Sequence, residues 1–205
     1  MWNEKEMLNY LHINLSESRL KHSLSVSETA VTLATIYGEN IESARIAGLV
    51  HDCAKNMKDA ELIKVASEHE TQIDEIYINN PSILHGLVGS IIASELMEIR
   101  DEDILRAIRY HTTGRKNMST LEKIIYIADY IEPLRKFNGV DELRTLSTVN
   151  LDTAVLKSLE ETIKYVISRS ELLHLDTIDA RNYILIKNRR WEYEWKEKRE
   201  KNSEL

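Results

Sequence analysis

Two prolines and six glycines in 205 residues leave this chain few places to break a helix, and its apolar residues recur at helical spacing between those breaks. Turn-rich β architecture draws on more of both residues. No sustained alternation of apolar and polar residues reads as a strand. The expectation is an all-α protein. A chain of this length buries a real core without staples. With no low-complexity linker and no repeat, residues 1–195 are expected to form one domain, with 196–205 as a charged tail.

Between Ser16 and Tyr37, Leu20, Leu24, Val31 and Ala34 repeat at helical spacing, and Gly38 is a good stop. His22 lies on the neighbouring stripe with Val26 and Leu33, so it leans inward. Asn40 is expected to cap a second helix reaching Ala54. Its stripe of Ala44, Ala47, Gly48 and His51 lets another helix approach closely. Asp52 follows about 100° further round, so His51 and Asp52 can share one site only near a helix end. Residues 59–68 read as a short helix and 70–80 as a connection. Pro81 opens a helix with His85, Gly89, Ile92 and Leu96 on one stripe. The next starts near Asp101, where Ile104, Ala107, Ile108 and His111 follow helical spacing, and Thr112-Thr113-Gly114 ends it. Ser119 and Glu122 form a capping-box signature for an apolar run from Leu121 to Ile131, closed by Pro133, with Asp129 inside it. Asp152 is expected to cap a helix through about Ile167, and a last helix covers roughly 177–195.

The formal net charge of −7 argues against a general nucleic-acid coat, but not against a phosphorylated small substrate held by a few local cations. One cysteine, Cys53, excludes an intramolecular disulfide and fits a reducing, cytoplasmic setting. No run approaches the ~18 apolar residues of a membrane span, and the first residues lack a signal-peptide core. P-loop, dinucleotide-fold and serine-hydrolase motifs are missing, as is zinc-finger cysteine spacing.

What remains is a constellation: His22, the pair His51-Asp52, His85, His111 and Asp129, in or beside successive helical segments. A histidine alone on an apolar face is ordinarily a hydrogen-bonded core residue. Asp129 says more, because a carboxylate inside Ile-Ile-Tyr-Ile-Ala-Asp-Tyr-Ile is costly to bury unless a salt bridge, a cap or a metal satisfies it. Four inward-leaning histidines with two carboxylates are a ligand set for transition metals. His12, His69 and His174 have no such context, and Cys53 reads as a small buried hydrophobe.

The order His22, His51-Asp52, Asp129 resembles the HD-domain metal-dependent phosphohydrolases. His85 and His111 resemble the dinuclear branch of that superfamily. Arg19 to Leu24, His51 to Lys55, His85-Gly86, His111 to Arg115 and Met118 to Pro133 are similar to the YqeK-type bacterial proteins, over most of residues 10–190. That resemblance implies an HD-type helical bundle and symmetrical hydrolysis of diadenosine tetraphosphate to two ADP by a metal-activated hydroxide. It also implies a dinuclear centre, with iron first and manganese or zinc also compatible. His22, His51, Asp52 and Asp129 would hold one metal, and Asp52 would bridge to a second held by His85 and His111.

Cations should complete such a site. Lys55 lies one helical turn past Asp52, and Arg19 precedes His22 by three residues, so with Asp52 they are the catalytic candidates. Thr112, Arg115 and Arg135 join Lys55 and Arg19 as candidate substrate contacts; Thr112 also reads as a helix cap and each cation as a solvated surface charge, Arg115 and Arg135 more readily than Lys55 and Arg19. The expected partner is a small nucleotide, with no nucleic acid and no membrane. Trp191 and Trp195 read as core or interface, leaving a homodimer open. The competing readings are an HD phosphohydrolase for another nucleotide, a non-catalytic nucleotide-binding module, and a helical interaction protein whose histidines are core residues.

Overall fold

A computed structural model describes residues 1–69 and 73–188; the expected tail, the end of the helix expected over 177–195, Trp191 and Trp195 lie outside the described residues. The described residues are helical, without a strand. The helices are α1 (Glu4–Asn14), α2 (Glu17–Tyr37), α3 (Ile41–Val50), α4 (Asp59–His69), α5 (Glu75–Asn79), α6 (Leu84–Glu95), α7 (Glu102–Arg109), α8 (Thr120–Ile131), α9 (Val140–Val149) and α10 (Leu151–Ser168). Residues 175–188 form α11, and a 3-10 turn, Pro81–Ile83, leads into α6.

Caps explain most boundaries. Ser16, Asn40, Asp101 and Ser119 each accept a backbone N–H of the first turn that follows. At α8 the Ser119 backbone N–H donates in return to the Glu122 carboxylate, completing the capping box. Gly38, at φ 67°, ends α2 in the left-handed conformation.

Several expectations need correction. α3 ends at Val50 rather than Ala54, and residues 51–57 wind on through tight turns, Lys55 N–H to Asp52 O among them. That early end removes the 100° conflict between His51 and Asp52, and both side chains are buried. α10 is capped by Asn150, which accepts the Thr153 N–H, whereas Asp152 pairs with Lys123 at 2.6 Å. Leu24 is exposed; the buried face of α2 carries Val26, Ala30, Leu33 and Ala34, with His22 on it. α1, α5 and α9 were not expected. Each is short and half polar, and only Met7 and Leu11 of α1, or Val140, Leu143 and Ser147 of α9, turn inward.

The helices that matter for the site pack as α2 on α3, α2 and α7 on α8, and α6 on α7. Close approach is built in at glycines. A Cβ on Gly48 of α3 would lie 2.8 Å from the Ser27 Cα of α2, and one on Gly86 of α6 would lie 2.6 Å from the Arg109 carbonyl oxygen. Ser27 Oγ also donates to the Arg45 carbonyl, tying α2 to α3. A main apolar cluster runs through α1, α2, α3, α7, α8 and α10, and a smaller one joins α4 to α6.

Candidate metal centre

The six motif residues converge. His22 comes from α2, His51 and Asp52 from the turn just after α3, His85 from the start of α6, His111 from just beyond α7 and Asp129 from α8. All but Asp129 are buried, and its side chain, 22% exposed, marks the open side.

Each imidazole has its Nδ1 committed outward. His51 Nδ1 donates to the Gly48 carbonyl at 2.7 Å, His111 Nδ1 to the Ile108 carbonyl at 2.7 Å and His85 Nδ1 to the Ser82 carbonyl. A carbonyl oxygen only accepts, so in each ring Nδ1 carries the proton. His22 Nδ1 donates to Glu132 Oε1 at 3.1 Å. Burial works against the Glu132 charge, but the Leu134 N–H, Ser25 and His22 hold its carboxyl below the usual range. All four Nε2 lone pairs are thereby turned inward.

Asp52 divides them. Its Oδ2 lies 3.4 Å from His51 Nε2 and 3.7 Å from His22 Nε2, while its Oδ1 lies 3.1 Å from His85 Nε2 and 3.5 Å from His111 Nε2. Asp129 Oδ1 stands 2.9 Å from His22 Nε2 and 4.0 Å from His51 Nε2. The Nε2 atoms of His22 and His51 are buried without a hydrogen-bond partner, so the short His22–Asp129 contact is an approach of two acceptors rather than a bond. His85 Nε2 and His111 Nε2 face each other at 3.0 Å. Facing lone pairs repel until a cation or a proton comes between them.

The donor set therefore fits divalent metal. Donors around one ion with bonds of about 2.1 Å sit roughly 3.0–3.4 Å apart. Two overlapping triads, His22–His51–Asp129 and His51–Asp52–His111, each bring three donor atoms within 4.8 Å of one another. The electrostatics agree. Burial opposes the charge of Asp52, yet His51, His111 and His85 hold its carboxyl well below the usual range. Burial resists a charge on His51 too, but Asp52 and Asp129 push its pKa up, and a bound cation would meet the same negative field. Burial pushes His85 down to about 4, which keeps its lone pair available near neutral pH.

Three cations ring the open side. Arg19 Nη1 lies 2.9 Å from Asp52 Oδ2, and Arg135 Nη2 lies 2.6 Å from Asp129 Oδ1. Lys55 Nζ is 3.3 Å from His85 Nε2. Burial lowers the Lys55 pKa, Arg19 and Arg135 lower it further, and Asp52 and Asp129 oppose them. The other two candidate substrate contacts sit differently. Thr112 is half-buried in the turn directly after His111. Arg115 is held by both oxygens of buried Glu122, at 2.5 and 2.7 Å, and lines a separate cavity with Arg106 and Tyr110. His69 bonds the Val65 carbonyl and Glu95. Cys53 is buried with Sγ toward the Gly89 carbonyl, and burial pushes its thiol up to about 12, as suits a packing residue.

Glu132 is the member that sequence reasoning missed. The available signal was a glutamate three residues after Asp129, against the helix-closing Pro133. Its backbone N–H closes α8 on Ala128, and its side chain is 1% exposed. Partners that orient a metal-binding imidazole typically matter about 10–100-fold. Glu132→Gln keeps an acceptor for His22 but removes the charge, so metal affinity should fall by roughly that factor. A competitive metal titration measures it, and unchanged affinity would show that His22 needs no charged partner.

A shell of helices around buried imidazoles and carboxylates, with cations at its mouth, defines a helical domain suited to binding divalent metal. The chain belongs to the HD domain family, which matches residues 19–134. It is 38% identical to the bis(5'-nucleosyl)-tetraphosphatase, symmetrical, of Halalkalibacterium halodurans, across 91% of this chain and all of that one. It is 37% identical to the protein of the same name from Bacillus subtilis, across 89% and 98% of the two chains. Among solved structures it resembles a predicted HD superfamily hydrolase from Clostridium acetobutylicum, described as involved in NAD metabolism. That likeness has 52% identity and a TM-score of 0.89, over 91% of this chain and 99% of the other. No described helix is long and apolar enough to cross a membrane.

Proposed function

We propose that this chain is a cytoplasmic, single-domain phosphohydrolase that cuts dinucleoside tetraphosphates at the centre, taking diadenosine tetraphosphate and water to two ADP. Its relatives' names support the substrate. The observation that carries the chemistry is Asp52, whose two oxygens face two separate pairs of imidazoles. In this reading His22, His51, Asp52 and Asp129 hold one metal, and Asp52, His85 and His111 hold the other. Iron is the first expectation, and manganese and zinc accept the same donors.

Two divalent ions held there would supply an activated water near neutral pH and neutralise charge on the phosphoryl oxygens. The chain's own residues do the rest. The Nδ1 bonds of the four histidines fix each ring before substrate arrives. Arg19, Lys55 and Arg135 sit where a tetraphosphate must enter, and each can trade its present partner for phosphate oxygen. Water oxygen joins one central phosphorus, the bond between that same phosphorus and the oxygen it shares with the other breaks, and that oxygen leaves with the second ADP. No side-chain nucleophile is required.

The test is product analysis: metal-loaded protein with diadenosine tetraphosphate, nucleotides resolved by chromatography, metal counted per chain. Two ADP as sole product, with two metals, is expected. AMP with ATP would move the cut, and no turnover by a two-metal protein would overturn the substrate.

A further inference from the structure

The turn that leaves α8 serves two ligand candidates at once. Glu132 Oε1 accepts from His22 Nδ1 at 3.1 Å, and Arg135 Nη2 donates to Asp129 Oδ1 at 2.6 Å. His22 and Asp129 belong to the same half of the centre. Pro133, between Glu132 and Arg135, shapes the turn. It has no N–H to close on the Asp129 carbonyl four residues back, and Arg135 Nε makes that bond instead, at 2.9 Å. Within the turn the Leu134 N–H donates to Glu132 Oε2 at 2.6 Å, and the Arg135 N–H to the Glu132 carbonyl at 2.9 Å.

Those bonds shape the turn but do not tie it to the next helix. Arg144 of α9 does so. Its Nε donates to the Ile131 carbonyl at 2.8 Å, and its Nη2 donates to the carbonyls of Glu132 and Arg135, both at 2.9 Å. The two hydrogens on Nη2 allow both bonds. Nη1 is held by Asp141 Oδ1 at 2.6 Å, from the first turn of α9. The last carbonyls of a helix lack partners, and a cation there meets the negative end of the helix dipole. A cap, however, needs one such contact. Arg144 reaches three carbonyls, and the last belongs to the residue whose side chain holds Asp129. None of these bonds goes to the elements that carry His85 and His111.

We propose that Arg144 is a positioning residue for the metal held by His22 and Asp129. It fixes the backbone of Glu132 and Arg135, so that one orients the His22 imidazole and the other the Asp129 carboxylate. Its own bonds go to Asp141 and to main-chain oxygens, not to a ligand candidate. The inference rests on the two-metal reading above and is independent of the substrate.

The experiment is calorimetric titration of the metal-free protein with Mn²⁺, which accepts the same donors. It compares the wild type, Arg144→Met, Asp141→Asn, Glu132→Ala and the double variant Arg144→Met/Glu132→Ala, with a urea melt of each. Two sites are expected in the wild type. Arg144→Met should weaken one of them about tenfold, the lower end of what orienting partners contribute, and leave the other unchanged. Asp141→Asn keeps the guanidinium but loosens it, and should weaken the same site by a factor of about three. In the Glu132→Ala background Arg144→Met should cost no more than about threefold, because only the Arg135 branch is left to position. Its loss of stability in urea should be the same in both backgrounds. That contrast separates positioning from a merely structural tether. Unchanged Mn²⁺ affinity in Arg144→Met, an equal loss at both sites, or an equal loss in both backgrounds would overturn the role. If Arg144→Met does not fold, Asp141→Asn decides: full affinity at both sites overturns the role. A wild type that binds one ion would reject the two-metal reading, and the change in that ion's affinity in Arg144→Met would still decide the role. A two-metal wild type that leaves diadenosine tetraphosphate uncut would reject the substrate alone.

Discussion

Asp52→Ala should lower turnover of diadenosine tetraphosphate by at least about 10³-fold, which corresponds to roughly 4 kcal/mol of barrier. Bound metal should fall from two per chain to one or fewer. The reason is geometric. Oδ1 and Oδ2 of this one carboxylate face different imidazole pairs, so a single substitution removes a donor from both halves of the centre. It also strips Arg19 of its 2.9 Å partner, leaving that guanidinium to find phosphate without its anchor. The fold should survive, because Asp52 lies after α3 in a turn and not in a helix interior. Far-ultraviolet circular dichroism of the variant should match the wild type, while metal analysis and turnover both drop. Two metals retained, with activity within tenfold of the wild type, would remove the bridging role.

The six ligand candidates were legible because chemistry forces them to be conspicuous. A carboxylate inside an apolar run and histidines on packed helix faces violate the pattern around them. The helices carrying them were legible for the same reason caps are: Ser16, Asn40, Asp101 and Ser119 have local partners within a few residues. What stayed hidden is non-local. Glu132 became part of the centre only through a bond to His22, 110 residues away. Arg115 shares its neighbourhood in sequence with His111, yet Glu122, seven residues on, holds it through both oxygens. α9 was hidden because its three buried residues, Val140, Leu143 and Ser147, make too thin a stripe to read without the neighbours that cover it. The early end of α3 was invisible too, since nothing in Val-His-Asp-Cys-Ala breaks a helix. Tertiary packing decides that boundary, and the close pairing of His51 with Asp52 depends on it.

Gly86→Ala should destabilise the protein by about 1–3 kcal/mol, the usual cost of forcing a methyl into a packed core. It should also cost roughly 10²-fold in turnover, without touching a ligand. The added Cβ would lie 2.6 Å from the Arg109 carbonyl oxygen and 3.3 Å from that of Ile108. Both are backbone atoms, so neither can rotate away, and α6 must shift from α7. Gly86 adjoins His85, and the Ile108 carbonyl is the acceptor that orients His111. One methyl therefore separates the two imidazoles that stand 3.0 Å apart and that one ion would have to join. Metal should be lost from this half of the centre first, leaving one ion per chain. Gly38→Ala is the control. Gly38 sits at φ 67° with nothing within 4 Å of a Cβ, so its variant carries backbone strain alone. It should lose about 1 kcal/mol in a urea melt and keep both metals. If Gly86→Ala also keeps both metals and full turnover, the α6–α7 contact does not set the spacing of the second metal's ligands.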